Sequence, residues 1–457
     1  MKQAVQKQKL DMLNGSLWNK IPQFALPVAA TAILEQLFNA SDIAVVGNFS
    51  GTASTIAVAA VGANSFVISL VVNFFIGIAL GANVVIANAI GREDEDAVHR
   101  AVHTAVVISV LGGVLVTLFG ELAAGTVLRS LNVPEEVLPY ALLYLRIYLL
   151  GVPVILLYNF EAAIFRSVGD TKVPLQTLAF SGVLNVLLNL FFVIVLHMTV
   201  NGVATATVIS NAISSSLLFV RLRRSDKAIH LNWKELRIDR KSLQKILQIG
   251  FPAGIQSAVF SISNIVIQSA INSLGTVVMA ASSAAFNIEV IAYDVLSSFS
   301  QACTTFVGQN YGARKLDRCR KTLVLCLVED TVASGLAIML VLCSGHFLLS
   351  LFNQDPEVIS IGYTRLMVVF TAYFFSMLYE VMSGYLRGFG ISLVPALLTM
   401  LGVCGVRILW VATAFPQHRS FQTILLAYPL SLAATAVLIF IALLVYHPSH
   451  KTKGEAV

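Results

Sequence analysis

Twelve stretches of this chain are each long enough to cross a bilayer as a helix and so apolar that water cannot solvate them. Split at Gly, Pro and charge clusters, they run approximately over 18–46, 54–80, 98–124, 137–164, 172–196, 200–221, 246–271, 279–305, 320–346, 358–384, 391–413 and 420–446. About 20 residues of helix cross a hydrocarbon layer of about 30 Å, so each window suffices for one span. Of the 457 residues 57% are hydrophobic and 12% charged, against roughly 25% charged in a soluble domain, and the mean hydropathy is +0.81. A water-soluble globule is excluded, and the expected class is an all-α polytopic membrane protein of twelve transmembrane helices. Lys2, Lys7, Lys9 and Lys20 precede the apolar stretch of the first window, which starts near Ile21. That window continues to about Val46 without a small-x-small cleavage pattern, so it reads as a span and not as a removed leader.

The net charge of +6 does not point to a nucleic-acid partner, because the basic residues fall in short segments between the windows. Arg221, Arg223, Arg224, Lys227, Lys234, Arg237, Arg240, Lys241 and Lys245 follow the sixth window. Arg314, Lys315, Arg318, Arg320 and Lys321 follow the eighth, whereas segments 47–53 and 272–278 carry no Lys or Arg. Positive segments stay on the cytoplasmic side, so both termini are expected there, in a bacterial plasma membrane. The expected division is a cytoplasmic segment 1–17, a six-helix lobe 18–221, a basic cytoplasmic linker 222–245, a second six-helix lobe 246–446 and a cytoplasmic tail 447–457.

The two halves repeat each other. "FRSVGDTKVP" at 165–174 matches "LRGFGISLVP" at 386–395, pairing Arg166 with Arg387, Gly169 with Gly390 and Pro174 with Pro395. Gly91 and Gly312, Asn132 and Asn353, and Tyr158 and Tyr379 keep the same offset. An even number of spans gives both halves one orientation, related by an axis along the membrane normal, which is a transporter architecture.

Polar side chains are costly inside a span and mark cavities, ion paths or partners. In the first window Thr31, Glu35, Asn39 and Asp42 share one helical face. Ser181, Asn185 and Asn189 form a second stripe in the fifth window, and Glu161 lies late in the fourth. The second half offers Glu289 and Asp294 in the eighth window and Glu380 in the tenth. Glu35, Asn39, Asp42, Asn185 and Asn189 are the expected coupling-ion site; Glu161, Glu289, Asp294 and Glu380 are candidate cavity acids. The plain alternative for these acids is structural pairing, as of Glu161 with Arg166 or Glu380 with Arg387. A desolvated carboxylate can take and release a proton, and with amide and hydroxyl oxygens around it can hold Na⁺ instead; both options stay open at Asp42.

Pro27 with "SDIAVVG" at 41–47, "GIALGANVVIANAIG" at 77–91, "FRSVGD" at 165–170, "FVGQNYGARKLDR" at 306–318 and "YLRGFG" at 385–390 together resemble the multidrug and toxic compound extrusion (MATE) family over essentially the whole chain. The resemblance implies two six-helix lobes in a V shape and a secondary antiporter that exports organic, often cationic compounds as H⁺ or Na⁺ enters. It places Asp42 at the family's first-span cation-binding aspartate and Asn185 at its fifth-span asparagine. Asn189 stands where an acid is often found.

Other classes fare worse. A lipid-linked saccharide flippase is the runner-up, set back because the acids outnumber cavity-directed Arg and Lys. An enzyme is not expected: His99 and His103 have zinc-helix spacing, but Arg100 occupies the position of the required Glu, and no Gly-Lys dipeptide supports a phosphate loop. The five cysteines, Cys303, Cys319, Cys326, Cys343 and Cys404, lack C-x-x-C spacing and read as small core residues. The expected partners are a small organic substrate and the lipid bilayer, with no cofactor and a monomeric chain.

Overall fold

The computed structural model describes residues 10–51, 54–131, 133–225, 228–446 and 448. The expectations at Lys2, Lys7, Lys9, Asn132 and Lys227, and those for the segment 1–9 and nearly all of the tail 447–457, lie outside the described residues. Among the described residues, twelve helices are long and apolar enough to cross a membrane. They are α1 (Lys20–Phe49), α2 (Ser54–Gly91), α3 (Glu95–Ser130), α4 (Leu138–Ser167), α5 (Lys172–Val195), α6 (Val200–Arg223), α7 (Arg240–Asn272), α8 (Thr276–Gly312), α9 (Leu316–Ser350), α10 (Pro356–Gly388), α11 (Leu393–Gln417) and α12 (Phe421–Tyr446).

Helices continue past the apolar windows because caps, not hydropathy, end them. The window ending near 80 belongs to α2, which continues to Gly91 and buries Ala82, Asn83, Ile86 and Ala87 in its last turns. Asp94 caps α3 by accepting the Ala97 N–H at 2.9 Å, and Glu95 and Asp96 occupy its first turn, where the helix dipole favours acids. Asp239 accepts the Ser242 N–H and hydroxyl, each at 2.8 Å, just before α7. Those two bonds hold its carboxyl below the usual carboxylate range.

The repeated "FRSVGD" and "LRGFGI" segments end α4 and α10 in the same cap. Gly169 at φ +80° and Gly390 at φ +84° are left-handed. Their N–H groups reach Arg166 and Arg387 carbonyls at 2.9 and 2.8 Å, and the next N–H groups reach Phe165 and Leu386 at 3.0 Å. This is a Schellman motif, and its left-handed position favours glycine.

The chain separates into two compact units, one of residues 30–250 and one of residues 10–29 with 251–457, apart from the termini. The divisions fall inside α1 just after Pro27 and inside α7 just before Pro252. In the first unit α4 is central and packs against α2, α3 and α6. In the second, α10 packs in the same way against α8, α9 and α12. Cross-helix bonds repeat at the same offset: Asn83 Nδ2 donates to the Ala163 carbonyl at 3.1 Å, and Thr304 Oγ1 to the Gly384 carbonyl at 3.0 Å. Because lipid gives apolar side chains no reason to prefer one another, such bonds and close backbone contacts carry the packing. A Cβ on Gly81 would overlap the backbone of Ile246 and Gly250, so glycine lets α2 meet the first turns of α7. Outward faces stay apolar, as with Leu111, Leu115, Leu118 and Leu122 along α3.

Each unit also holds a connecting segment. In the second unit, Arg318 donates to the Met12, Asn14 and Gly15 carbonyls, and Asn310 donates to that of Met12. The conspicuous "FVGQNYGARKLDR" motif thus clamps residues 10–15. In the first unit, Ile229 and Leu231 are buried and His103 is 1% exposed. His103 Nδ1 donates to the His99 carbonyl at 2.7 Å, which leaves Nε2 to accept the Asn232 N–H at 3.1 Å. His99 Nε2 lies 3.2 Å from Glu235 Oε2. Although His99, His103 and Glu235 gather their ligand atoms closely, the His103 lone pair is already engaged, so the group is a pin for the linker. Of the cysteines, all are free and four are buried; Cys343 is exposed and departs from the core reading.

Two outcomes follow from these contacts. Gly169→Ala should cost about 1–2 kcal/mol from the left-handed penalty, read as a lowered Tm of the purified protein. His103→Ala leaves the half-buried Asn232 N–H without its acceptor, at up to about 1 kcal/mol. Limited trypsin digestion should then cut between 228 and 239 faster than in the wild type; an unchanged rate would remove the pin.

Candidate functional site

In the first unit, polar groups from three helices converge on Asp42. The i, i+4 spacing of Asn185 and Asn189 puts both amides on one face of α5, and that face meets α1 and α6. Asn189 Nδ2 donates to Asp42 Oδ1 at 2.5 Å and to Asn185 Oδ1 at 3.2 Å. Asn185 Nδ2 donates to Thr207 Oγ1 at 3.4 Å, and Thr207 Oγ1 donates to Asp42 Oδ2 at 2.9 Å. The bonds close a ring of four side chains around one carboxylate. Asp42 is 5% exposed and Asn189 fully buried. Among the described residues Asn189 Oδ1 has no hydrogen-bond partner, so the ring keeps a spare acceptor beside the carboxylate.

Backbone geometry supports the arrangement. Immediately after Asn189 and Leu190, α5 widens into a π-helical stretch, Phe191–Val195. Such bulges shift the register of the side chains around them and recur at functional sites. The corresponding helix of the second unit, α11, has its own π-helical stretch at Met400–Gly405.

Of the expected coupling-site residues, the structure joins Asp42, Asn185 and Asn189. Glu35 is half-buried and Asn39 exposed on α1, and among the described residues neither bonds to Asp42. Thr207 completes the ring and was not foreseen; Thr207, Asn211 and Ser214 recur at i, i+4 and i+7 on α6, a polar stripe that could have marked it. Glu161, fully buried, accepts from Ser215 Oγ at 2.9 Å through Oε2.

The second unit has a different polar interior. Glu289 pairs with Arg365: Nε to Oε1 at 2.7 Å and Nη2 to Oε2 at 2.9 Å. Arg365 Nη1 donates to Ser282 Oγ at 2.5 Å, and Nη2 also reaches the Tyr428 hydroxyl at 3.2 Å. Both charges are almost fully buried, so Glu289 belongs to a fork-to-fork ion pair. Glu380 accepts the Tyr293 hydroxyl at 2.9 Å, while Arg387 donates to Gln256 at 2.7 Å. The alternative Glu380–Arg387 pair does not form, because each side chain meets a neutral partner from another helix. Asp294 is half-buried on α8.

Arg365 and Arg407 are buried to 1% and 4% exposure and were overlooked in the sequence. Their signal was available: both stand inside apolar windows, where the cost that singles out acids applies equally to arginines. Buried acids still outnumber buried arginines in this unit, Glu289, Glu329, Asp330 and Glu380 against Arg365, Arg387 and Arg407.

A family model described as MatE matches two segments, residues 27–191 and 252–412. The chain is 27% identical over 439 residues to YoeA of Bacillus subtilis, a probable multidrug resistance protein, covering 93% of each chain. It is 27% identical over 445 residues to NorM of Thermotoga maritima, also a probable multidrug resistance protein, covering 95% of this chain and 93% of that one. A solved structure described as the outward-facing conformation of a multidrug resistance MATE family transporter has the same fold. Its TM-score is 0.87 at 20% identity, over 95% of this chain and 97% of its own.

The Glu289–Arg365 pair gives a test of its own. Arg365→Met leaves a buried carboxylate uncompensated and should cost about 3–5 kcal/mol, whereas Arg365→Met with Glu289→Leu should recover most of that loss. The recovery is measured as Tm across the double-mutant cycle.

Proposed function

Since the chain belongs to the MatE family, a family of membrane transporters and not of enzymes, we propose that it is a secondary active antiporter that exports organic amphipathic compounds, often cationic ones, in exchange for H⁺ or Na⁺. It is a multi-pass small-molecule transporter with multidrug resistance relatives; the exchange, its ion and its route are the proposal.

The observation that carries it is the Asp42 ring. A carboxylate held inside a membrane protein by two neutral donors, Asn189 and Thr207, keeps its negative charge uncompensated by any cationic side chain among the described residues. That suits one monovalent cation. A proton neutralises Asp42 directly. Na⁺, a hard cation, suits the oxygen set of Asp42, Asn185, Asn189 and Thr207, in which Asn189 Oδ1 is already free of hydrogen bonds among the described residues. With Asn189 in place of a second acid, the ring carries one negative charge, enough for either ion but not for a two-acid relay.

Occupancy changes what Asn189 and Thr207 bind, and so couples α1 to α5 and α6. In alternating access, the state that opens outward and the state that opens inward differ in affinity for the ion, and the gradient shifts their populations. Glu35 and Asn39, on the same helix as Asp42, are placed along the ion's approach. Glu161 in the first unit and Asp294 and Glu380 in the second stay candidate cavity acids, each within its own unit, while Glu289 is taken by Arg365. The Lys and Arg distribution supports cytoplasmic termini in a bacterial plasma membrane, and a monomer is the proposed working unit.

A second reading has one observation in its favour. Buried Arg365 and Arg407 provide cationic groups that a flippase for a lipid-linked saccharide needs for its phosphates.

Purified protein in liposomes, given a proton gradient or a sodium gradient separately, should drive efflux of the organic cation ethidium with one of the two ions. Asp42→Asn, which removes the charge but keeps the shape, should reduce that efflux at least about tenfold. Equal ion-driven efflux in wild type and variant would end the role given to Asp42.

A further inference from the structure

A charge inside a membrane span requires an opposite charge, a full shell of hydrogen bonds or access to water. Arg365 meets that requirement through Glu289, Ser282 and Tyr428. Arg407, also in the second unit, has neither an opposite charge nor a full shell of hydrogen bonds among the described residues. Its Nε donates to Ser431 Oγ at 3.1 Å. Among the described residues, Nη1 and Nη2 donate to no acceptor, and no carboxylate lies within 4.0 Å of the guanidinium. The neighbouring acids are occupied elsewhere or lie apart: Glu289 is committed to Arg365, Glu380 takes the Tyr293 hydroxyl, and Asp330 takes that of Ser334.

The surroundings of Arg407 are aromatic. Its guanidinium carbon lies 4.5 Å from the Tyr428 ring centroid and 5.9 Å from that of Phe260. Arg365 lies 5.4 Å from the same Tyr428 ring and 5.9 Å from Phe286. One tyrosine therefore holds two guanidinium groups within about 10 Å of each other. Phe286 is 43% exposed and Phe260 only partly buried, so the aromatic flank reaches the surface of the unit. The backbone holds Arg407 there. The π-helical stretch Met400–Gly405 ends just before it, and a Cβ on Gly402 would overlap Thr435, so α11 sits tightly on α12, which carries Tyr428 and Ser431.

We propose that Arg407, backed by the Arg365–Glu289 pair, forms an anion site in the second unit that takes the carboxylate or phosphate of an aromatic transported compound. This rests on the transporter reading and deepens it by naming a substrate class. Glu289 neutralises Arg365, which leaves one uncompensated positive charge, matched by one acidic group. The unoccupied edge of Arg407 offers two N–H donors in the planar fork that suits both carboxylate and phosphate. Glu289 engages Arg365 through its Nε–Nη2 edge; on Arg407 Ser431 takes Nε, so the ligand would meet the Nη1–Nη2 edge. Phe260, Phe286 and Tyr428 supply faces for the apolar part of the ligand. The class includes aromatic acids, aryl phosphates and zwitterions with one acidic group, and differs from the organic cations implied by family resemblance.

The test uses the full chain in neutral detergent and in phosphatidylcholine liposomes, with carboxyfluorescein as the anionic probe and ethidium as the cationic one. Carboxyfluorescein binding, read by fluorescence anisotropy, should weaken at least about tenfold in Arg407→Gln. Arg407→Lys should fall between, because an ammonium keeps the charge but lacks the planar fork. In liposomes, the ratio of carboxyfluorescein to ethidium counterflow should drop by a similar factor. Equal anion affinity in wild type and Arg407→Gln overturns the site. Displacement of the probe by phosphatidylglycerol but not by excess benzoate assigns Arg407 to a lipid headgroup and overturns it too. If Arg407→Gln fails to fold, Arg407→Lys carries the comparison. Binding is read without a gradient, so the two readings separate. Arg407-dependent binding without movement of either dye would end the transporter reading alone, and ethidium efflux with Arg407-independent binding would end the anion site alone.

Discussion

A charge or an unpaired amide placed in hydrocarbon costs several kcal/mol, and this cost organises the whole molecule. It makes every spanning segment helical and confines irregular backbone to caps, connections and the π-helical stretches of α5 and α11. It also sets how each buried charge is met. Glu289 and Arg365 meet each other. Asp42 is met by two neutral donors within a closed ring. Arg407 is met by one hydroxyl and two aromatic rings. The less completely a charge is answered by the protein, the more room it leaves for an ion or a substrate.

The internal repeat gives both units one scaffold and two chemistries. Central α4 and α10, their Schellman caps at Gly169 and Gly390, and the bonds from Asn83 and Thr304 to the next helix recur at one offset. The polar interiors do not recur. The first unit closes amides and a hydroxyl around Asp42, and the second sets Arg365 and Arg407 against aromatic rings. A scaffold shared by duplication, with interiors free to diverge, lets one half serve an ion and the other a different ligand, as proposed for Asp42 and Arg407.

Much of the fold was legible in the residues themselves. The apolar windows located all twelve helices to within a few residues at most ends, and fell short at the end of α2, where the apolar stretch "GANVVIANAIG" continues the helix, and at the start of α7, where polar residues open it. The repeat was visible in "FRSVGD" and "LRGFGI", but its conserved-looking glycines proved to be helix caps. The proposed ion site was partly legible: i, i+4 spacing marked Asn185 and Asn189, and the polar stripe of the first span, with its two acids Glu35 and Asp42, marked Asp42. Glu35 and Asn39 shared the Asp42 stripe without joining its hydrogen bonds, since a stripe of residues over three turns spans more than one environment.

Sequence by itself determined the class, the number of spans, the duplication and the family resemblance, because these depend on local hydropathy, charge and order along the chain. Tertiary structure alone decided who meets whom. Thr207 joined Asp42 from 165 residues away, and Arg365 found Glu289 across 76. Nothing in the local pattern encodes those distances. They are set when helices pack by small residues and cross-helix hydrogen bonds, and only then does a buried charge acquire its partner or go without one.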